Sequence, residues 1–135
     1  MRVLFWYCTN FAWTPAIKSL ETAPEAFPGK HAEVIVAFIH VEPQDVLEAS
    51  SAEKKLLKNL KWLANKWQKK QIVLHSFTHL GEDKAEPESA RCLINRVEER
   101  LKNVEYEVLQ TPYGYFLELD MQAAGHPLAR IYKEF

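Results

Sequence analysis

Three short stretches gather the side chains most able to do chemistry: Ile72-Val-Leu-His-Ser-Phe-Thr-His-Leu80, Thr111-Pro-Tyr-Gly-Tyr-Phe116 and Gly125-His-Pro-Leu-Ala129. Histidines, hydroxyls and aromatics at strand ends and turns suit a polar, planar ligand, which they hold by hydrogen bonds at its edge and rings against its faces. His75 and His79 lie four residues apart, a spacing that aims two imidazoles at one metal ion only on a helix. Here a β-branched apolar run ends in His75, so the pair reads as a strand end followed by a loop. Glu82, Asp83 and His126 offer no obvious third ligand, and the reading carries no metal and no cofactor. His75 then reads as structural and His79 as the histidine placed to touch a substrate, because α/β sheets bind ligands beyond the ends of their strands.

Cys8, with Thr9 and Asn10 after it, closes the first apolar run. Paired with His79 or His126 it would be a nucleophile, whereas a free cysteine is more often a small buried hydrophobe. The chain has no G-x-S-x-G elbow and no glycine-rich phosphate loop, which weighs against a serine hydrolase and against an enzyme of nucleoside triphosphates.

The elements that must position these groups alternate in type. Val3 to Tyr7 reads as a strand entering the core, and Glu33 to Glu42 as a central strand, apolar at nearly every position and stopped by Pro43. Between them, Thr9 to Lys30 holds Pro15, Pro24, Pro28 and Gly29, the composition of a long irregular lid or binding loop. Ser50 or Ser51 caps a helix whose apolar positions Leu56, Leu57, Leu60, Leu63, Ala64 and Trp67 recur at helical spacing, to about Lys70. Ile72 to Ser76 is a further buried strand. Pro87 opens a second helix with the stripe Ala90, Leu93, Ile94, Val97 and Leu101. Tyr106 to Gln110 and Tyr115 to Met121 read as strands joined across a Thr-Pro-Tyr-Gly turn, and the tail as a docked helical turn or edge segment. The sum is one α/β domain over residues 1–135, a mixed sheet with two main helices.

Composition bounds the partners. At 135 residues and 47% apolar content the chain can bury a core, and no apolar run is long enough to span a bilayer. Met1 to Cys8 is too short and too aromatic for a signal peptide, and two cysteines make no disulfide framework, so the expected compartment is the cytoplasm. A net charge of −1 means that any nucleic-acid contact must come from a local patch. The first helix supplies one, since Lys54, Lys58 and Lys61, with four further lysines around them, face a single acid, Glu53. A one-signed face can follow a phosphate backbone; it is also what an ordinary solvated helix shows.

Read in order, Met1-Arg-Val-Leu, Val36-Ala-Phe-Ile-His-Val-Glu42, Phe77-Thr-His-Leu80, Leu93-Ile-Asn-Arg-Val97, Thr111-Pro-Tyr-Gly-Tyr115 and Gly125-His-Pro-Leu-Ala129 resemble the N-terminal editing domain of archaeal threonyl-tRNA synthetases. That domain shares its fold with the D-aminoacyl-tRNA deacylases. The resemblance extends over essentially the whole chain and leaves nothing of a synthetase catalytic core or anticodon-binding region. It implies hydrolysis of serine wrongly esterified to threonine tRNA, carried out in trans, with the terminal adenosine in a pocket built largely from backbone groups. The implied substrate contacts are His40, Val41, Phe77, Thr78, Pro112, Tyr113, Gly114, Tyr115 and Phe116. His79 is the implied catalytic histidine, with Cys8 as a second candidate, and Lys54, Lys58 and Lys61 meet the tRNA backbone. The implied partners are the tRNA 3′ end and the synthetase, and the implied assembly is a homodimer.

The chain departs from the family at places that matter. Where the family has a tyrosine and a water-activating lysine, this chain has Phe116 and Leu117, and where the family has a glutamate it has Arg130. A leucine can neither position water nor bind an amino group. Either another group, such as His40, His75 or Cys8, takes that role, or the substrate differs, or hydrolysis is gone and the domain is a non-catalytic module that binds adenosine or docks on a synthetase.

Overall fold

A computed structural model describes residues 1–135. Six strands form one mixed sheet: β1 (Arg2–Lys18), β2 (Gly29–His40), β3 (Gln71–Ser76), β4 (Glu107–Gln110), β5 (Tyr115–Ala123) and β6 (Arg130–Glu134). Helices α1 (Ala52–Trp67) and α2 (Pro87–Lys102) follow β2 and β3 as crossovers, so β2, β3 and β4 run parallel. The strand order is β4-β3-β2-β1-β5, and β6 shares an edge of β1 with β5. β1 is the hub: β2 lies along one side of it, while β6 takes Arg2–Trp6 and β5 takes Cys8–Lys18 on the other, all antiparallel.

Side-chain parity makes the two faces. Val3, Phe5 and Tyr7 of β1 and Ile35, Ala37 and Ile39 of β2 meet the buried stripes of both helices in a main core, with Leu56, Leu60, Leu93 and Ile94 fully enclosed. Each such side chain contributes about 1.5–3 kcal/mol by leaving water. Tyr7 stacks on Trp67 at 3.9 Å between centroids, and the Trp67 indole donates to the Leu128 carbonyl, docking the tail. The opposite face carries a second cluster: Cys8, Phe11, Trp13, Val34, Val36, Phe38 and Val73, fringed by Leu4, Trp6, Leu117, Leu119 and Met121. Every buried residue of α1 and α2 belongs to the main core, so no helix covers this second face.

The expected lid over Thr9–Lys30 is instead mostly strand, because β1 continues to Lys18 and β2 starts at Gly29. Pro15 is tolerated because the β1–β2 ladder ends at Trp13–Gly29, and because Pro15 sits beside a register shift in the β1–β5 ladder. Gly29 is required by packing, since a Cβ there would lie 2.2 Å from the Trp13 ring. α1 stops at Trp67 rather than Lys70, because Gln68 turns into the left-handed region at φ 52 and its N–H returns to Ala64 and Asn65. Thr-Pro-Tyr-Gly does not close a hairpin either. β4 and β5 lie at opposite edges of the sheet, so residues 111–114 carry the chain across it. The tail forms a 3₁₀ turn (Pro127–Ala129) and the edge strand β6.

Candidate functional site

A cleft of about 280 Å³ opens at the ends of β2 and β3, close to the lower size of ligand sites in proteins. One wall is the end of β3 and the loop after it, from His75 through Ser76, Phe77 and Thr78 to His79. The other is the crossing segment Pro112–Phe116, continued by Leu117 and Leu119 of β5. Val41, Ala85 and Ala90 line it as well, and Lys84 is the one lysine or arginine among the lining residues, which include no carboxylate.

The loop wall is fastened to β2. Phe77 N–H donates to the Ile39 carbonyl and Ala85 N–H to the Val41 carbonyl, both at 2.9 Å. Between these points His40 clasps the loop from beneath. Its Nδ1 accepts from Leu80 N–H at 3.0 Å, so its Nε2–H donates to the Asp83 carbonyl at 2.6 Å. His79, lifted clear of this clasp, is exposed. The Phe77 ring meets it edge-on at 5.0 Å, and the Phe116 ring lies across from it at 6.5 Å, tilted by 28°.

The crossing segment is anchored at both ends. Tyr113 O–H donates to the Pro87 carbonyl at 2.8 Å, and Tyr115 O–H to the Pro24 carbonyl at 2.7 Å. Between them Gly114 has φ 85, and its carbonyl accepts from Ser19 N–H and Leu20 N–H. A Cβ on Gly114 would lie 2.8 Å from that of Ala23, so conformation and space both require glycine here. Thr111 N–H donates to the Leu74 carbonyl, and its hydroxyl lies 2.8 Å from His75 Nδ1. His75 is only 7% exposed, and burial together with the charge of nearby His79 lowers its pKa to about 4, so the ring is neutral at pH 7.

Of the residues expected at a site, the cleft brings together Val41, Phe77, Thr78, His79, Pro112, Tyr113, Gly114, Tyr115 and Phe116. His40 is not among the lining residues. It is wholly buried and both ring nitrogens are engaged, so its side chain supports the loop rather than a ligand. The nucleophile reading of Cys8 is also corrected. Cys8 lies in the second apolar cluster, fully buried and off the cleft, and burial pushes its thiol up to about 11. Lys54, Lys58 and Lys61 sit on α1, outside the cleft, while Glu53 beside them is taken by Arg96 and Arg100 of α2 at 2.8 and 2.7 Å. Arg130 is also off the cleft, donating to the Ala124 carbonyl. His126 caps the tail's 3₁₀ turn by accepting from Leu128 N–H.

His75, read from the sequence as structural, is both buried and among the residues that line the cleft. It is two residues on from Val73, and strand alternation puts both on the face without helices, next to Phe38. That parity was available in the sequence. The lining by Ser19, Leu20 and Lys84 carried no signal.

The sheet order and the two helical crossovers make a mixed α/β fold of the D-aminoacyl-tRNA deacylase-like kind. A solved structure, the c-Myc DNA Unwinding Element Binding Protein, superposes with a TM-score of 0.68 over 100% of this chain and 99% of its own, at 14% identity. The match to a family model is more specific. Residues 1–135 fit the archaea-specific editing domain of threonyl-tRNA synthetase, and the chain belongs to that family. Among its relatives, a threonine–tRNA ligase of Pyrobaculum aerophilum is 30% identical over 136 residues, all of this chain and 22% of that protein. One from Thermococcus kodakarensis is 31% identical over 117 residues, 86% of this chain and 19% of that protein. The chain thus spans about a fifth of the length of the curated relatives it matches.

Proposed function

We propose that this chain edits aminoacyl-tRNA, hydrolysing the ester of a mischarged amino acid such as serine on threonine tRNA, and that it acts in trans on the 3′ end in the cytoplasm. The observation that carries the reading is the convergence of His79, Phe77 and Thr78 with the 112–116 segment on one cleft, from parts of the chain more than thirty residues apart. In this reading the terminal adenosine lies along the crossing segment, where backbone groups select its edge and Phe116 offers a ring face. His79 holds the attacking water or the neighbouring ribose hydroxyl and takes its proton. Water adds to the ester carbonyl, and collapse of the tetrahedral intermediate expels the ribose oxygen, which leaves with a proton. Lys54, Lys58 and Lys61 meet the tRNA backbone, and a synthetase supplies the substrate.

The uncovered face of the sheet supports pairing of two copies, since Leu4, Trp6, Leu119 and Met121 fringe it and the Trp6 indole N–H is buried there without an acceptor. A monomer in sedimentation at micromolar concentration would remove that part of the proposal.

The test of the activity is a panel of seryl-, threonyl- and D-aminoacyl-tRNAs. Turnover is expected with at least one, falling about 100-fold in His79→Ala and unchanged in Cys8→Ala. No turnover above a boiled control would overturn the hydrolytic reading. One observation favours a second reading, a non-catalytic adenosine-binding module: Leu117 lines the cleft where the family has lysine. Binding of adenosine without turnover of any member of the panel would select it.

A further inference from the structure

The cleft holds a second imidazole whose environment differs from that of His79. His75 is enclosed by Phe38 at 4.8 Å, edge to face, and by Phe77 at 5.9 Å, and its one protein partner is the Thr111 hydroxyl on Nδ1. Thr111 is buried, and its hydroxyl proton has no other acceptor. A buried donor left unmade costs free energy, so the satisfying arrangement has Thr111 O–H donating to an unprotonated Nδ1. Neutral His75 then carries its proton on Nε2. That atom has no protein partner, is not sealed from solvent, and belongs to a side chain that lines the cleft.

We propose that His75, held by Thr111 in the Nε2–H form, is the hydrogen-bond donor that receives the ester carbonyl oxygen and stabilises the negative charge that develops on it. This rests on the deacylation reading and deepens it. As the water oxygen bonds to the carbonyl carbon, the π electrons move onto the carbonyl oxygen, which accepts from Nε2–H. When the ribose oxygen departs with the proton released by water, the carbonyl re-forms and His75 is unchanged. A neutral donor suits this task, because it strengthens its bond as charge appears without giving up its proton. It also gives the cleft a polar group across from the wall where Leu117 and Leu119 offer none. The two histidines thus divide the labour, His79 handling the proton and His75 the oxyanion.

Two measurements test this. In ¹⁵N-labelled protein at pH 7, two-bond ¹H–¹⁵N correlation should show His75 protonated on Nε2 and bare on Nδ1. An Nδ1–H tautomer or an imidazolium would overturn the proposal. In deacylation kinetics His75→Phe, which matches the surrounding rings, should lower kcat about 100-fold, within the range for loss of one oxyanion donor. Thr111→Val should lower it about 10-fold and Thr111→Ser should restore it, with KM moving little throughout. An unchanged kcat in His75→Phe and Thr111→Val would also overturn it. If the wild type turns over no aminoacyl-tRNA, the deacylation reading fails by itself. His75 is then read by titration with 3′-deoxy-3′-serylamido-adenosine, a non-hydrolysable amide. A shift of its Nε2–H resonance supports the donor role, and no shift overturns it.

Discussion

His75 and His79 are four residues apart and occupy opposite regimes, one enclosed by rings and the other exposed at the mouth of the same cleft. The enclosure has a thermodynamic signature. The folded pKa of His75, about 4, lies below its ordinary 6.5, so between these values the unfolded chain binds the proton that the folded chain refuses. Stability from this group is complete above pH 6.5 and is lost as pH falls towards 4, a difference of about 3 kcal/mol. Urea unfolding at pH 7.0 and 4.5 should show a steeper loss in the wild type than in His75→Phe, and equal slopes would contradict the burial argument. The sequence displayed both histidines plainly and ranked His79 from its loop position. What it could not display was the partner: Thr111 lies 36 residues away and meets His75 only because β3 and β4 are neighbours in the sheet.

The strands and helices were largely written in apolar periodicity, and the misreadings occurred where two elements compete for the same signal. Pro15 and the prolines beyond it looked like a loop, yet β1 runs on as a strand because its second half has β5 as a neighbour that local composition does not announce. The Pro-Tyr-Gly segment looked like a hairpin turn because turn chemistry is local, whereas its strands go to opposite edges of the sheet. The glycine in it still meets two requirements, a positive φ and close approach to Ala23 and Leu20. Gly114→Ala should cost about 1–2 kcal/mol from the left-handed backbone alone, and more from the contact with Ala23. Because the segment is one wall of the cleft, deacylation should fall by a larger factor than Gly29→Ala produces at equal stability loss. Urea midpoints beside kcat/KM would separate the two effects, and a full-rate Gly114→Ala would show that the wall does not need its shape.

At the scale of the molecule, a buried ion pair closes one end of the sheet. The Met1 ammonium lies 2.8 Å from Asp45 and 2.9 Å from Glu42, and its neighbours include the Phe135 carbonyl. The two apolar faces depend on a subtler arrangement along β1. Leu4, Trp6 and Cys8 point to the uncovered face, and so do Phe11 and Trp13, although the first set is even-numbered and the second odd. The change of parity falls at Thr9, where β1 carries one residue more than β5, and directly across on β2 stands Glu33 with φ 50. The two irregular residues are therefore a matched pair of insertions, and genetics could detect them as such. Deleting Thr9 alone, or Glu33 alone, would turn half of one strand inside out and should leave little soluble protein. Deleting both would restore plain alternation on β1 and β2 at once, so the double deletion should fold where each single one fails, as a thermal melt of the three variants would reveal.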